Sequence, residues 1–297
     1  MNTTLDTLST RFAIADHVSF SESAPGLPVV EIRTAHASAR VSLYGGHVLA
    51  WQPTGQKPVI WVSKAALFEP GKAIRGGVPV CWPWFGPLAG QPLHGFVRTR
   101  LWTLRDTALD AEGQVIVRLG LSDDADTRAM WDHAFDLELV VTVGQTLTMA
   151  LVTRNTGAAP FAINQALHTY FGVGDIGQTT VQGLDGCTYV DKVDNFTEKR
   201  QSGPVNFIGE TDRIYLNTTA DSLIVDAAWG RSIRVAKQGS ASTVTWNPWV
   251  DKEKTMADMA SGEHRGMVCV ETCNAGSDQV TLSPGDKHVL SACISVL

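Results

Sequence analysis

Apolar and polar residues alternate with a period of two along most of this chain, and that pattern commits it to strands. Successive side chains of an extended chain point to opposite faces, so alternation makes one face that wants a core and one that tolerates water. Ten segments carry the pattern: residues 29–34, 39–43, 59–62, 115–121, 137–143, 146–153, 232–236, 243–246, 267–272 and 288–296. Turn-forming clusters separate them, among them Tyr44-Gly45-Gly46, Arg154-Asn155-Thr156-Gly157 and Ser283-Pro284-Gly285-Asp286, where glycine, proline and asparagine supply the backbone angles a reversal needs. Helical periodicity is confined to 64–68, 126–131 and 255–260. The expectation is an all-β fold, a large antiparallel β-sandwich with a few short helices. No linker or repeat divides the 297 residues, so one domain over 1–297 is expected.

The stretch 69–95 departs from this pattern, being dense in glycine, proline and tryptophan. A segment so rich in turn formers and aromatics reads as an ordered, functional loop. With 44% hydrophobic residues the chain can fill a sizeable core. Its net charge of −6 excludes a general nucleic-acid surface. Nothing resembles a secretion signal or a membrane span. The odd count of five cysteines, with no CxxC spacing, reads as reduced thiols in a cytoplasmic protein. Among the eight histidines there is no HxH, HxxxH or HExxH spacing, so no metal motif is present. P-loop, dinucleotide and nucleophile-elbow signatures are also absent.

Two ionisable residues interrupt strand-like apolar runs: His168 in Ala166-Leu167-His168-Thr169-Tyr170-Phe171 and Glu271 in Val268-Cys269-Val270-Glu271-Thr272. Burying such groups is unfavourable unless they are paired or used. On a strand over 164–171, His168 shares a face with Asn164, Ala166 and Tyr170, the floor of a cleft; Cys269 and Cys273 share the face of Glu271. The alternatives are a core histidine satisfied by a neighbouring backbone carbonyl, and a glutamate either in a salt bridge to Arg265 or another arginine or at a strand end exposed to water. Arg75 and Arg98 bracket the tryptophan-rich loop next to glycines that permit close approach of a ligand. As a pair they could clamp an anion, since guanidinium forks suit phosphate; singly, each would staple a loop. Trp82, Trp84, Phe85, Trp246 and Trp249 could stack on a sugar ring or pack in the core.

Taken in order, YGGHVLAW, IRGGVPVCWPWFG, HGFVR, ALHTYF, GETDRIY, WNPW, MADM and MVCVET resemble the galactose-mutarotase-like superfamily, and within it the hexose-6-phosphate mutarotase branch. The resemblance spans about Tyr44 to Thr272. It implies a cofactor-free enzyme that interconverts the α and β anomers of a hexose 6-phosphate. Separately, a small-molecule substrate, no nucleic-acid or membrane partner and a monomer are expected. By resemblance His168 stands at the catalytic acid and Glu271 at the catalytic base. Asp212, which otherwise reads as an exposed neighbour of Arg213, stands at an acceptor for a sugar hydroxyl. Arg75 and Arg98 stand at phosphate contacts and His94 at a loop histidine near the substrate. Leu93 departs from the pattern, standing where some relatives carry a ligand-contacting glutamine.

Three rival readings remain. An aldose 1-epimerase of unphosphorylated sugars would use the same pair and have no need of two arginines. A sugar-phosphate-binding protein without turnover would need neither acid nor base. A glycoside-processing enzyme would use two carboxylates, here Asp212 and Glu271, and leave His168 idle. If the pair catalyses, each partner is expected to hold the other charged near neutrality.

Overall fold

The computed structural model describes residues 4–297. Alternation becomes antiparallel strands in a nine-stranded sheet, an eight-stranded sheet, a four-stranded N-terminal meander and a two-stranded ribbon. The strand Phe135–Val143 shows the principle, with every second residue buried over its nine positions. Its Leu137, Leu139, Val141 and Val143 join Val115, Val117 and Leu119 of the neighbouring strand Val115–Ser122 in the main core. Each such buried side chain contributes about 1.5–3 kcal/mol.

That core is shared between the two large sheets. Leu151 and Leu290 enter it from the nine-stranded sheet, and Leu167, Val268 and Val270 from the eight-stranded one. This is the expected sandwich. The decisive strand is Met267–Asn274, buried at all eight positions. Val268 and Val270 face the shared core, whereas Cys269 and Cys273 pack in two smaller clusters on the opposite face. Glu271, between them in the alternation, takes that outer face.

Helices are short, as the pattern required, but not all lie where periodicity placed them. Ala125–Met130 forms close to 126–131, started by Asp124 and Thr127 in a reciprocal cap that satisfies free N–H groups of the first turn. Residues 64–68 do not form a helix. The Lys64 amide is taken by the Glu263 carboxylate at 2.9 Å, and Ser63 Oγ donates to the same group at 2.6 Å, so a distant side chain replaces the helical acceptor. Residues 255–260 make only three-residue turns, and the helix falls just before them at Trp249–Glu253. A helix at Leu5–Phe12, capped by Thr4, escaped the pattern. The expected strand at 59–62 is reduced to isolated bridges, Ile60 with Phe171 and Val62 with Gly76.

Candidate active site

The eight-stranded sheet sets His168 opposite Glu271. The expected strand over 164–171 is broken in two, Gln165–Leu167 and Tyr170–Gly172, and both halves pair with Met267–Asn274. Leu167 is registered with Thr272 and Tyr170 with Cys269, so continued register puts His168 against Glu271 and Thr169 against Val270. The ladder opens at these two steps. The Thr169 amide turns back to the Leu167 carbonyl, and the His168 amide bonds the Pro79 carbonyl at 3.0 Å. Alternation survives the break: Ala166 and Tyr170 pack on the outer face, Leu167 and Phe171 in the shared core.

His168 Nε2 lies 3.4 Å from Glu271 Oε1. Both side chains are almost fully withdrawn from solvent, and each keeps one buried polar atom without a protein partner, His168 Nδ1 and Glu271 Oε2. Leaving such atoms unpaired destabilises by roughly 1–3 kcal/mol apiece, which favours a site held ready for something else. The imidazole stacks on Tyr170 at 4.9 Å, with Trp246, Phe85 and His94 edge-on around it. No alternative raised by the sequence holds: the Glu271 partner is an imidazole rather than an arginine, its strand position is buried, and no carbonyl of a neighbouring residue takes the His168 ring.

Burial governs the protonation of this pair. It pushes the His168 imidazole well below its ordinary range, helped by His94, Arg98 and Arg75. It pushes the Glu271 carboxyl well above its own, helped by Asp212 and opposed by Lys192. Burial thus works against the expectation that each holds the other charged. Desolvation therefore favours the neutral imidazole and the carboxylic acid over the ion pair. That form carries the same single proton as imidazolium with carboxylate, so a shift within the pair interconverts the two.

Both residues line a cleft of about 260 Å³. Arg75, His94 and Asp212 line it too, so the structure brings five of the six candidate residues together. Arg75 leaves a turn whose Gly76 has φ 101°, and a Cβ there would lie 2.5 Å from Val62 Cα. The guanidinium donates to the Tyr170 hydroxyl at 2.9 Å and pairs with Asp258 at 3.1 Å. Burial works against its charge, but Tyr170 and Asp258 more than offset that and hold it firmly protonated. His94 accepts the Gly86 amide on Nδ1 at 3.1 Å. Burial, with Arg98 and the cleft cations behind it, lowers its pKa to about 3, so the neutral ring carries its proton on Nε2 as a donor.

Asp212, on the strand Thr211–Tyr215, bonds Lys192 Nζ at 2.7 Å rather than pairing with Arg213. Burial raises its pKa despite the ammonium. Arg98 is the exception: it does not line the cleft, and its guanidinium donates to the Leu93 carbonyl at 2.7 Å, bracing the rim that carries His94. Leu93 is exposed on that rim. The tryptophan-rich loop thus contributes through Arg75, Phe85, Leu93 and His94.

Of the aromatic candidates, Phe85 and Trp246 reach the cleft. Trp82 is buried in the main core, its indole N–H on Thr153 Oγ1, and Trp84 and Trp249 pack against that core. Sequence reasoning missed Lys192 and Lys252 on the lining and Asp258 behind Arg75. The Lys192 and Asp212 pairing was signalled only by the register of two non-consecutive strands, Thr188–Asp191 on Thr211–Tyr215. All five cysteines are unpaired. No helix among the described residues is long and apolar enough to cross a membrane.

The eight-stranded sheet thus presents a buried imidazole and carboxyl to a cleft of about 260 Å³, and the comparisons give the family. The model described as aldose 1-epimerase matches residues 28–293. An Escherichia coli protein named "Putative glucose-6-phosphate 1-epimerase" is 39% identical over 266 residues, covering 89% of this chain and 88% of its own. One of the same name from Cenchrus ciliaris is 34% identical, covering 88% and 82%. The crystal structure of a "putative mutarotase (YeaD)" from Salmonella typhimurium superposes with a TM-score of 0.89 at 35% identity, covering 96% and 95%. A galactose mutarotase-like protein from Lactobacillus casei, at 13% identity and TM-score 0.72 over 91% and 100%, shares the fold. The chain belongs to the aldose 1-epimerase family. It is an isomerase that interconverts sugar anomers.

Proposed function

We propose that the substrate is a hexose 6-phosphate and that His168 and Glu271 open and close its ring. The observation that carries the reading is their 3.4 Å approach in a cleft also lined by Arg75, Lys192 and Lys252. The anomeric hydroxyl, once bound, donates to Glu271 and favours its carboxylate, drawing the pair's proton onto His168. Glu271 then takes the hydroxyl proton while His168 gives its own to the ring oxygen, and the C1–O5 bond opens to an aldehyde. Rotation about C1–C2 presents the other carbonyl face, and the two residues exchange roles on closure. A positioned acid or base each supplies roughly 10²–10⁴-fold.

The remaining lining residues orient the ring. His94 Nε2–H donates to a sugar oxygen, Asp212 accepts from a hydroxyl, and Trp246 and Phe85 offer apolar faces. Arg75 takes the phosphate, with the cleft lysines adding charge, while Arg98 acts through the rim it braces. Grip at the phosphate end then fixes the reacting carbon. The chain works as one unit, since the cleft draws on residues from Arg75 to Glu271; a cytoplasmic monomer belongs to the same proposal.

Magnetisation-exchange NMR of the anomeric protons tests it. Protein should accelerate exchange in glucose 6-phosphate far more than in glucose at equal concentration. Equal acceleration of both would remove the phosphate from the reading, and acceleration of neither would remove the turnover.

A further inference from the structure

Cys269 has no part in the chemistry above, yet it lies two residues before Glu271 on the same strand face. Alternate positions on one strand, with a third ligand from the neighbouring strand, are a compact way to surround an ion. Here the third is His168. One ligand atom from each of His168, Cys269 and Glu271 lies within 4.8 Å of the others, and all three residues are buried. A second observation points the same way: the carboxyl that faces His168 Nε2 keeps a buried oxygen, Glu271 Oε2, with no protein partner.

We propose that His168, Cys269 and Glu271 form a binding site for a thiophilic divalent cation such as zinc, and that occupancy switches the enzyme off. Zinc bonds thiolate, imidazole and carboxylate at about 2.0–2.3 Å, so atoms around a tetrahedral centre stand roughly 3.3–3.8 Å apart. The His168–Glu271 approach of 3.4 Å already meets that spacing. The Cys269 sulfur has to move in by at most about 1 Å, a small side-chain rotation. As the ion binds, the Cys269 thiol and the Glu271 carboxyl each release their proton to solvent, and both ligate as anions. Three protein ligands leave the fourth position open toward the cleft, where water or a sugar oxygen completes the shell.

The ion occupies the lone pairs that the acid–base pair needs, so bound metal and ring opening exclude each other. Inhibition rests on the proposed catalytic roles of His168 and Glu271; the binding site does not.

The test separates the two. Cobalt(II) titrated into the metal-free protein should produce a near-ultraviolet thiolate-to-cobalt band, absent in Cys269→Ala and retained in Cys273→Ala. Cys273 is the control because it flanks Glu271 on the other side, on the same face, outside the cluster. Zinc at ten times its dissociation constant leaves about one site in eleven open, so anomer exchange should fall roughly tenfold. Cys269→Ala should keep its metal-free rate and lose that sensitivity. No thiolate band in the folded wild-type protein, or equal zinc inhibition of Cys269→Ala, overturns the site. A band without loss of exchange leaves the site standing and refutes the inhibition together with the catalytic roles it rests on.

Discussion

Replacing Glu271 by glutamine should abolish most turnover while making the protein more stable, and the gain should grow with pH. Glutamine matches glutamate in size and keeps a hydrogen-bonding group against His168, so the buried strand position is preserved. It cannot take a proton. Loss of one positioned base corresponds to about 10²–10⁴ in rate, or roughly 2.7–5.4 kcal/mol at 1.36 kcal/mol per tenfold. The stability effect follows from the raised carboxyl pKa, caused first by burial. Above the ordinary carboxylate range the unfolded chain releases this proton while the folded chain keeps it. The stabilisation present at acid pH is therefore lost as pH rises, by about 1.4 kcal/mol per unit while the folded carboxyl stays protonated. Glutamine does not titrate, so the variant escapes that loss. Urea melts between about pH 5 and pH 8, beside a coupled assay that removes one anomer, read both effects. A stability difference that does not change with pH would refute the burial argument. A rate within a few-fold of wild type would refute the role.

Other variants probe the rest of the site. His168→Asn should lower turnover by a similar ~10²–10⁴-fold with circular dichroism unchanged. Because burial lowers the His168 pKa and raises that of Glu271, the one-proton form of the pair should span a broad window. The kcat/KM profile should lose its acid limb only below the ordinary imidazole range and its alkaline limb only above the ordinary carboxylate range. Arg75→Ala should raise KM for glucose 6-phosphate far more than for glucose, and Arg98→Ala, one step removed on the rim, should do so less. Gly95→Ala should destabilise by at least roughly 1–3 kcal/mol for its backbone conformation alone, since its φ is 74° and a Cβ would sit 1.8 Å from the Trp82 carbonyl oxygen; a melt equal to wild type would contradict that.

The alternation around Phe135–Val143 and the misplaced charges at His168 and Glu271 could be read locally, because both are short-range conflicts or agreements between side chain and strand. What could not be read was lateral order. Met267–Asn274 lies between Gln165–Leu167 and Ser242–Asn247, and no local pattern says so. The same gap hid Lys192 beside Asp212, Asp258 behind Arg75, and Glu263 as the acceptor that stops a helix at 64–68. Protonation was not legible for a related reason. Two charges placed near each other favour ionisation, but only the packed sheet shows that Tyr170, Trp246 and Phe85 exclude the water that would support it.

The most direct measurement is a crystal structure of the slow Glu271→Gln variant holding glucose 6-phosphate. The sugar should lie with its anomeric oxygen in hydrogen-bonding reach of residue 271, its ring oxygen in reach of the His168 imidazole, and its phosphate at the Arg75 end. A sugar bound with C1 turned away from both, however tightly held, would contradict the account.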